Sequence, residues 1–268
     1  MRILRKPTLA NKTSHFYQNF HNLYYPHVVV MLIYGKKGEN KMTKIMGHRG
    51  AKSECTENTM EAFKKAVKLD AYGIETDVHM LFDGSLVMYH DTVINKIGQS
   101  IYKFDGKTVG KTLPEAPFFE DMLKYYSKTG KVLNIEIKDE SGFYTDVGDA
   151  VANMLKKYNM QDRTIISSFN HRIIAEIKKK YPEFKVGALY WYTSGLDIVS
   201  YCKKHSIDAV HPHFSDVDRD FVEKCHKAGI DVNVWTVNTT ADMLRMKEIG
   251  VDIIMTDNIP LAKEVYGE

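Results

Sequence analysis

The strongest constraint on the fold is an alternation of strand and helix patterns that begins at residue 44. Strand patterns lie at residues 44–47, 73–81, 132–138, 164–169, 186–191, 208–213, 232–237 and 252–256. Helix patterns lie between them at 58–69, 118–128, 146–158, 171–180, 196–204, 219–228, 240–249 and 260–266, with Asn58 as the predicted N-cap of the first. Such alternation is typical of a parallel sheet. Eight strand–helix units in about 225 residues favour a closed (β/α)8 barrel.

An open, doubly wound sheet is the alternative arrangement of the same units. That fold often carries a G-x-G-x-x-G motif after its first strand, and none follows residues 44–47. No internal repeat or low-complexity linker divides residues 42–268. The sequence therefore predicts a single α/β domain over 42–268, a (β/α)8 TIM-type barrel with a short β-hairpin return after its second strand.

Residues 1–41 have a different character. They contain seven Lys or Arg residues against one acidic residue, and they show no clear helix or strand period. We expect an appendage of uncertain role outside the barrel domain. An amphipathic membrane anchor is one alternative, and a translation start assigned too early, with Met42 as the true first residue, is another. The net charge of the remaining chain is negative, which does not favour nucleic-acid binding.

The amino-acid composition limits the classes of protein to which this chain can belong. Hydrophobic residues make up 44% and charged residues 26% of the chain, as in ordinary globular proteins. No apolar run approaches the roughly 18 residues of a membrane span, so we expect no stable membrane insertion. The three cysteines lack C-x-x-C spacing, which argues against a disulfide framework or a zinc site. A reducing, cytoplasmic location fits this composition.

Residues 73–90 form a predicted β-hairpin around the dipeptide Asp-Gly at 83–84, a strong signal for a two-residue loop. This register places His90 opposite Asp77, on the face that also carries Glu75 and His79. Burying two carboxylates without partners is too costly to expect. We therefore predict a metal site beside an acid/base group, with a salt-bridged structural cluster as the alternative.

The third barrel strand adds a further acid. Chemistry in TIM barrels lies at the C-terminal ends of the strands, where the alternation points Glu136 into the barrel mouth together with Glu75 and Asp77. Three carboxylates without a cysteine ligand favour an oxygen-binding cation, Mg²⁺ or Ca²⁺, over Zn²⁺.

Two cations and two histidines surround this predicted metal site. Arg49 follows the first strand and Lys138 ends the third, as binding of an anionic group such as phosphate requires. His48 and His90 can divide the general-acid and general-base roles. Together these residues predict metal-assisted phosphoryl chemistry.

Five motifs carry a family resemblance. They are GHRGAKSECTENTMEAF (47–63), GIETDVHMLFDGSLVMYHD (73–91), NIEIK (134–138), VWTVN (234–238) and GVDIIMTD (250–257). In order and spacing they resemble the glycerophosphodiester phosphodiesterase family over residues 44–262. The segment 91–116 is too short for the large inserted lobe that some members of the family carry.

The resemblance implies a (β/α)8 barrel that cleaves a small-molecule glycerophosphodiester to sn-glycerol 3-phosphate and an alcohol, using one divalent cation, Mg²⁺ or Ca²⁺. The matching positions imply the following roles: His48 and His90 catalytic, Glu75, Asp77 and Glu136 metal ligands, Arg49 and Lys138 phosphate-binding, Glu57 site-shaping, and Trp235 an apolar wall for the glycerol carbons.

Two other functions remain open. A phospholipase D-like enzyme acting on lysophospholipids or sphingomyelin would need an apolar ramp at the mouth of the barrel. A non-catalytic phosphodiester-binding module would not need the paired histidines. Among other polar residues, we expect His79, His211 and His213 to line the barrel wall, and Cys55 to be a small packed side chain.

Overall fold

The computed structural model describes residues 42–139, 144 and 146–268. The appendage predicted for residues 1–41 lies outside the described residues, as do 140–143 and 145. Within the described part of the chain, no helix is both long and apolar enough to cross a lipid bilayer.

Parallel strands close into an eight-stranded barrel, which confirms the predicted fold. Along the described residues the strands are β1 (Lys44–His48), β2 (Gly73–Met80), β3 (Leu86–Met88), β4 (Val93–Ile94), β5 (Gln99–Ser100), β6 (Val132–Ile137), β7 (Thr164–Ser168), β8 (Lys185–Tyr190), β9 (Ala209–Pro212), β10 (Asp231–Val234) and β11 (Ile253–Thr256). The barrel order is β1, β2, β6, β7, β8, β9, β10, β11, and parallel pairing of β1 with β11 closes the ring. An open sheet is therefore excluded.

Helices cover the outside of the barrel. They are α1 (Met60–Lys68), α2 (Gly106–Thr112), α3 (Phe119–Tyr126), α4 (Val147–Lys157), α5 (His171–Lys180), α6 (Ile198–His205), α7 (Arg219–Lys227), α8 (Thr240–Ile249) and α9 (Ile259–Tyr266). All except α2 match predicted helices. In α1 the buried residues Ala62, Phe63 and Ala66 recur on one face, as expected of a helix packed on a sheet.

Side-chain alternation along the strands divides the core into two parts. Outward residues such as Ile45 and Ile135 are buried beneath the helices. Inward residues such as Met46 and Ile253 fill the barrel interior. Gly187 is required inside, because a Cβ atom there would lie 2.3 Å from Nε2 of the His211 ring.

The hairpin after β2 differs from the prediction by one residue. Val78 pairs with Met88, and the Leu81 amide donates to the Ser85 carbonyl at 2.8 Å, so the loop has three residues, 82–84. Gly84 has φ of 82°, as a three-residue loop with a G1 bulge requires. The predicted two-residue loop, and with it the pairing of His90 with Asp77, is therefore wrong.

The segment between β3 and α3 contains a small substructure that the sequence analysis missed. Strands β4 and β5 form a separate two-stranded antiparallel sheet, followed by α2. A hydrophobic cluster of its own holds this segment against the hairpin: Leu81, Val87, Ile94, Ile101, Val109, Leu113 and Ala116.

Candidate active site

The C-terminal ends of the barrel strands surround a cavity of about 210 Å³. One side of its lining is polar or charged: His48, Arg49, Glu75, His90, Asn134, Glu136 and Lys138. The other side is mostly apolar: Phe169, Leu189, Trp191, Trp235, Thr236 and Met255. The predicted catalytic and phosphate-binding residues therefore come together in one cavity.

Glu75, Asp77 and Glu136 form a buried acidic triad. Each offers a carboxylate oxygen, and these oxygens all lie within 4.8 Å of one another. The pairing of β2 with β6 sets this geometry, because it places Asp77 directly beside Glu136. Three buried carboxylate oxygens without a cysteine or histidine are the donor set that a hard divalent cation prefers.

Two cations balance part of this negative charge. The Lys138 ammonium lies 2.6 Å from Glu136 Oε1 and 3.2 Å from Asp77 Oδ1. Arg49 Nε lies 3.4 Å from Asp77 Oδ2, and the Arg49 backbone amide donates to Glu75 at 3.0 Å. Both predicted phosphate-binding cations thus contact the acids and also line the cavity.

The three carboxyl groups differ in pKa. Burial, together with the charges of Asp77 and Glu136, holds the pKa of Glu75 well above its usual range. Burial also raises the pKa of Glu136 to about 7, although Lys138 acts in the opposite direction. Burial alone would raise the pKa of Asp77 as well, but Lys138 and Arg49 lower it below its usual value. Asp77 therefore holds the most stable negative charge of the triad.

His48 is oriented by an acid that the sequence analysis did not single out. Its Nδ1 lies 2.7 Å from Asp257 Oδ1, at the end of β11, and its Nε2 lies 3.9 Å from Glu75. Burial lowers the pKa of His48, whereas the hydrogen bond with Asp257 raises it. Asn238 donates to the second Asp257 oxygen at 2.7 Å. The sequence does contain a signal for Asp257, because this residue is the last one of the motif at 250–257.

His90 has a matching arrangement. Its Nδ1 lies 2.7 Å from Asp91 Oδ1, and its side chain is 32% exposed. The fully buried His79 contacts the His90 carbonyl through Nε2 at 3.2 Å and the Tyr102 hydroxyl through Nδ1 at 3.3 Å. Tyr102 in turn donates to the Lys138 carbonyl at 2.9 Å. His79 is thus a hydrogen-bonded wall residue that helps to fix the main chain at two cavity residues.

Asn58 has a different role from the predicted helix cap. Thr59 caps α1, and its hydroxyl accepts from the Ala62 amide. Asn58 has φ of 55° and is 2% exposed. Its amide donates to Asp77 Oδ2 at 2.8 Å, and its carbonyl oxygen accepts from the Thr76 hydroxyl at 2.7 Å. Asn58 therefore positions one member of the acidic triad.

The remaining predicted substrate-binding residues lie around the cavity. Glu57 pairs with Arg49 and with Lys52, both at 2.8 Å, so it orients a cation of the site. Trp235 donates its indole N–H to the His211 carbonyl at 2.7 Å and forms part of the apolar side. Its ring packs edge-on against Phe169.

Two further histidines belong to the wall of the barrel. His211 is fully buried inside it, where Asn233 lies 2.9 Å from its Nε2. Burial lowers the pKa of His211 to about 3, so the ring is neutral at physiological pH. His213 lies at the barrel rim, packed edge-on against Trp235.

Comparisons with known proteins all point to one family of phosphodiesterases. A model of the glycerophosphoryl diester phosphodiesterase family matches residues 48–261. The glycerophosphodiester phosphodiesterase of Caldanaerobacter subterraneus subsp. tengcongensis is 32% identical over 240 residues, which cover 81% of this chain and 94% of the relative. The glycerophosphodiester phosphodiesterase of Bacillus altitudinis is 29% identical over 81% of this chain and 95% of its own length.

Solved structures show the same fold. The glycerophosphodiester phosphodiesterase of Thermotoga maritima superposes with a TM-score of 0.72 at 26% identity, over 83% of this chain and 98% of that one. A phosphodiesterase from Oleispira antarctica, solved in complex with sn-glycerol-3-phosphate, gives a TM-score of 0.76 at 23% identity, over 85% and 98% of the two chains. The described barrel and the family match together show that this chain belongs to the glycerophosphoryl diester phosphodiesterase family.

Proposed function

We propose that this chain hydrolyses glycerophosphodiesters to sn-glycerol 3-phosphate and an alcohol, with one bound divalent cation and two catalytic histidines. The observation that carries the proposal is the pair His48 and His90, each held through Nδ1 by a carboxylate, in the cavity that is also lined by Glu75 and Glu136 of the acidic triad. The product bound in the Oleispira antarctica relative supports the choice of sn-glycerol 3-phosphate.

The acidic triad fits a hard divalent cation, Mg²⁺ or Ca²⁺. Glu75, Asp77 and Glu136 supply three buried oxygen donors, and the raised pKa values of Glu75 and Glu136 indicate that a positive charge is needed to keep all three ionised. When bound, the cation would stabilise the negative charge that develops on the phosphoryl oxygens. Asn58 would keep Asp77 in position for it.

Arg49 and Lys138 would bind the phosphodiester. Both line the cavity beside the triad, and Glu57 orients the Arg49 guanidinium through a 2.8 Å ion pair. A guanidinium can donate two parallel hydrogen bonds to phosphate oxygens. Trp235, on the apolar side, would pack against the glycerol carbons.

The two histidines would handle the protons. Because Asp257 and Asp91 each occupy an Nδ1 atom, Nε2 is the nitrogen left to exchange a proton with the substrate. One histidine would accept the proton of the attacking hydroxyl, from water or from the glycerol 2-hydroxyl, and the other would protonate the leaving alcohol. Such transfers contribute about 10²–10⁴ each in rate.

Turnover of glycerophosphocholine with and without EDTA tests the proposal. Activity should be lost in EDTA and return with Mg²⁺ or Ca²⁺. His48→Ala and His90→Ala should each lower kcat by about 10²–10⁴ with little change in KM, whereas the control His205→Ala, on α6, should retain full activity.

A p-nitrophenyl phosphodiester separates the two roles. Its leaving group needs no proton, so it should restore turnover only in the variant that has lost the acid. EDTA-resistant activity, or full activity in either histidine variant, would contradict the proposal. Binding of glycerophosphocholine without any turnover would instead favour a non-catalytic binding module.

A cytoplasmic location is part of the same proposal. Cys202 and Cys225 are buried free thiols and Cys55 is a partly buried one, as is usual for proteins in a reducing compartment. Cell fractionation tests this inference, and recovery of the protein from the extracellular medium would contradict it.

A further inference from the structure

Residues 91–104 lie outside the barrel, in the segment that contains the small sheet of β4 and β5. Two fully buried isoleucines, Ile94 and Ile101, fix this segment to the hydrophobic cluster of the hairpin. The Ile101 amide also donates to the Thr92 carbonyl at 2.9 Å. Each isoleucine is followed by a polar residue, Asn95 or Tyr102, and both of these polar residues belong to hydrogen-bonded chains that end at His90.

The first chain ends at the His90 ring. Asn95 lies 2.9 Å from Asp91 Oδ2, and His90 Nδ1 lies 2.7 Å from Asp91 Oδ1. The hydrogen bond with His90 lowers the pKa of Asp91, so this group is an ionised carboxylate at neutral pH. Because a carboxylate only accepts hydrogen bonds, Asn95 must donate through its NH₂ and His90 through Nδ1. Nε2 is then the nitrogen that remains for the substrate.

The exposure of Asp91 explains why a second partner matters. Its side chain is 44% exposed, and the terminal torsion of an aspartate is soft. With His90 as its partner alone, the carboxylate could turn towards water and release the ring. A hydrogen bond from Asn95 to the second oxygen holds the carboxylate in the plane that His90 requires.

His48 has partners of the same kind in the same order. Its Nδ1 lies 2.7 Å from Asp257, and Asn238 donates to the second oxygen of that carboxylate at 2.7 Å. The side chains of His48 and Asp257 are only 12% and 24% exposed. Both proposed catalytic histidines are therefore held by an aspartate that an asparagine orients, although the two sets come from distant parts of the chain.

The second chain ends at the His90 carbonyl. The Tyr102 hydroxyl donates to the Lys138 carbonyl at 2.9 Å and lies 3.3 Å from His79 Nδ1. His79 Nε2 lies 3.2 Å from the His90 carbonyl, and the rings of His79 and Tyr102 pack edge-on with centroids 5.5 Å apart. One hydroxyl thus links the main chain of His90 to the main chain of Lys138.

We propose that the 91–104 segment positions His90 for catalysis, and that Asn95 and Tyr102 are the positioning residues through which it acts. Asn95 directs the His90 ring through Asp91, and Tyr102 fixes the His90 main chain relative to Lys138. Neither residue lines the cavity, so neither acts on the substrate directly. This inference rests on the proposed function, because it explains how that site holds one of its two histidines.

Two substitutions of Asn95 test its role as a hydrogen-bond donor. Asn95→Ala removes a hydrogen bond at a partly exposed site, so kcat for glycerophosphocholine should fall about 3–10-fold. KM should not change, because Arg49 and Lys138 are untouched. Asn95→Asp keeps the shape of the side chain but places a second carboxylate against Asp91, so kcat should fall further. A side chain needed only for its size would leave Asn95→Asp fully active.

A double-variant cycle shows whether Asn95 acts through Asp91. Asp91→Ala lowers kcat by itself, and adding Asn95→Ala to it should have no further effect. The matched control is Lys96→Ala, which removes the 2.9 Å ion pair with Glu115 from the same turn and leaves Asp91 untouched. It should retain full kcat, which separates positioning from a general loosening of the loop.

Tyr102→Phe tests the second chain, because it removes the hydroxyl and keeps the ring. We expect kcat to fall about tenfold. KM should rise as well, since the Lys138 main chain loses the same hydrogen bond. Tyr125→Phe, on α3, removes a hydroxyl elsewhere and should behave as the unmodified enzyme.

Four results would overturn the inference. Full kcat in both Asn95 variants, or an equal effect of Asn95→Ala with and without Asp91, would exclude the first chain. Full activity of Tyr102→Phe would exclude the second. A loss in Lys96→Ala as large as that in Asn95→Ala would mean that the loop matters only for its rigidity. If the unmodified enzyme does not hydrolyse glycerophosphocholine, the proposed function fails, and the positioning role fails with it.

Discussion

The substitution Asp257→Asn should prevent His48 from acting in catalysis, although the asparagine side chain has the same number of heavy atoms and nearly the same shape as aspartate. Asn238 Oδ1 accepts from the Asp257 backbone amide at 2.9 Å and from the Thr256 hydroxyl at 3.3 Å. These two donors fix the Asn238 amide so that its NH₂ points to the Asp257 side chain. An asparagine at 257 must therefore turn its carbonyl oxygen towards Asn238 and its own NH₂ towards His48.

That orientation gives His48 the wrong tautomer. Nδ1 would accept a hydrogen bond from the new amide instead of donating one, so the ring proton would move to Nε2. A neutral ring with a proton on Nε2 has its basic lone pair on Nδ1, so Nε2 cannot accept a proton from the substrate. If His48 is instead the acid, its protonated form loses the carboxylate that stabilises it.

The expected loss is therefore similar in either role. General acid or base catalysis is worth about 10²–10⁴ in rate, so kcat for glycerophosphocholine should fall by that factor, or about 3–5 kcal/mol. KM should change little, since Arg49 and Lys138 are untouched. Steady-state kinetics at saturating Mg²⁺ measures both constants.

A compensating change provides the control. With Asn238→Asp added, the carboxylate at 238 accepts from the NH₂ of residue 257, whose carbonyl oxygen can then accept from His48 Nδ1. The double variant should therefore be more active than Asp257→Asn alone. Equal activity of the single and double variants, or near-normal activity of the single one, would refute the reasoning.

Three further predictions concern the rest of the chain. Deletion of residues 1–41 should leave a folded enzyme with near-normal turnover, because every motif lies after Met42; an insoluble or inactive product would contradict the appendage hypothesis. Asp77→Asn should lower metal affinity and turnover together, with partial recovery in excess Mg²⁺ or Ca²⁺, and EDTA-resistant turnover of the variant would exclude Asp77 as a ligand. Burial lowers the pKa of His211 to about 3 and that of His79 to about 4, so below pH 6.5 the unfolded chain binds protons that the folded one does not. The unfolding free energy should rise with pH between about 4 and 6.5, each histidine adding up to about 1.4 kcal/mol per pH unit. When the unfolding free energy of His211→Gln is measured by urea unfolding at several pH values, it should rise less steeply with pH than that of the unmodified protein. An unchanged dependence on pH would argue against the contribution of His211.

The barrel could be predicted because its signals are local. Each strand has an apolar run or alternation of its own, and each helix has an apolar face, as α1 shows with Ala62, Phe63 and Ala66. The acids and cations of the site could also be predicted, because the alternation of side chains along a strand places Glu136 and Lys138 on one face. Their approach to Asp77 follows from the pairing of neighbouring parallel strands.

The positioning residues could not be found in that way. His48 and Asp257 are separated by 209 positions and meet only because β1 pairs with β11 to close the barrel. Asn58 stands where a helix cap is expected, and only its left-handed backbone turns its amide towards Asp77. The segment that supplies Tyr102 has strands of two residues, too short for a periodicity to appear.

The position of His90 shows that a correct placement can follow from an incorrect register. A one-residue shift moves every side chain of a strand to the other face, so the observed hairpin would direct His90 away from Asp77 if β3 continued. The strand ends at Met88, and the hydrogen bond from the Tyr89 amide to the Asp77 carbonyl at 3.3 Å lies just before His90. His90 is then positioned by contacts rather than by the ladder, through the Asp91 carboxylate at its ring and His79 at its carbonyl. The hairpin therefore brings the chain back to the mouth of the barrel, and the residues after it decide where the histidine points.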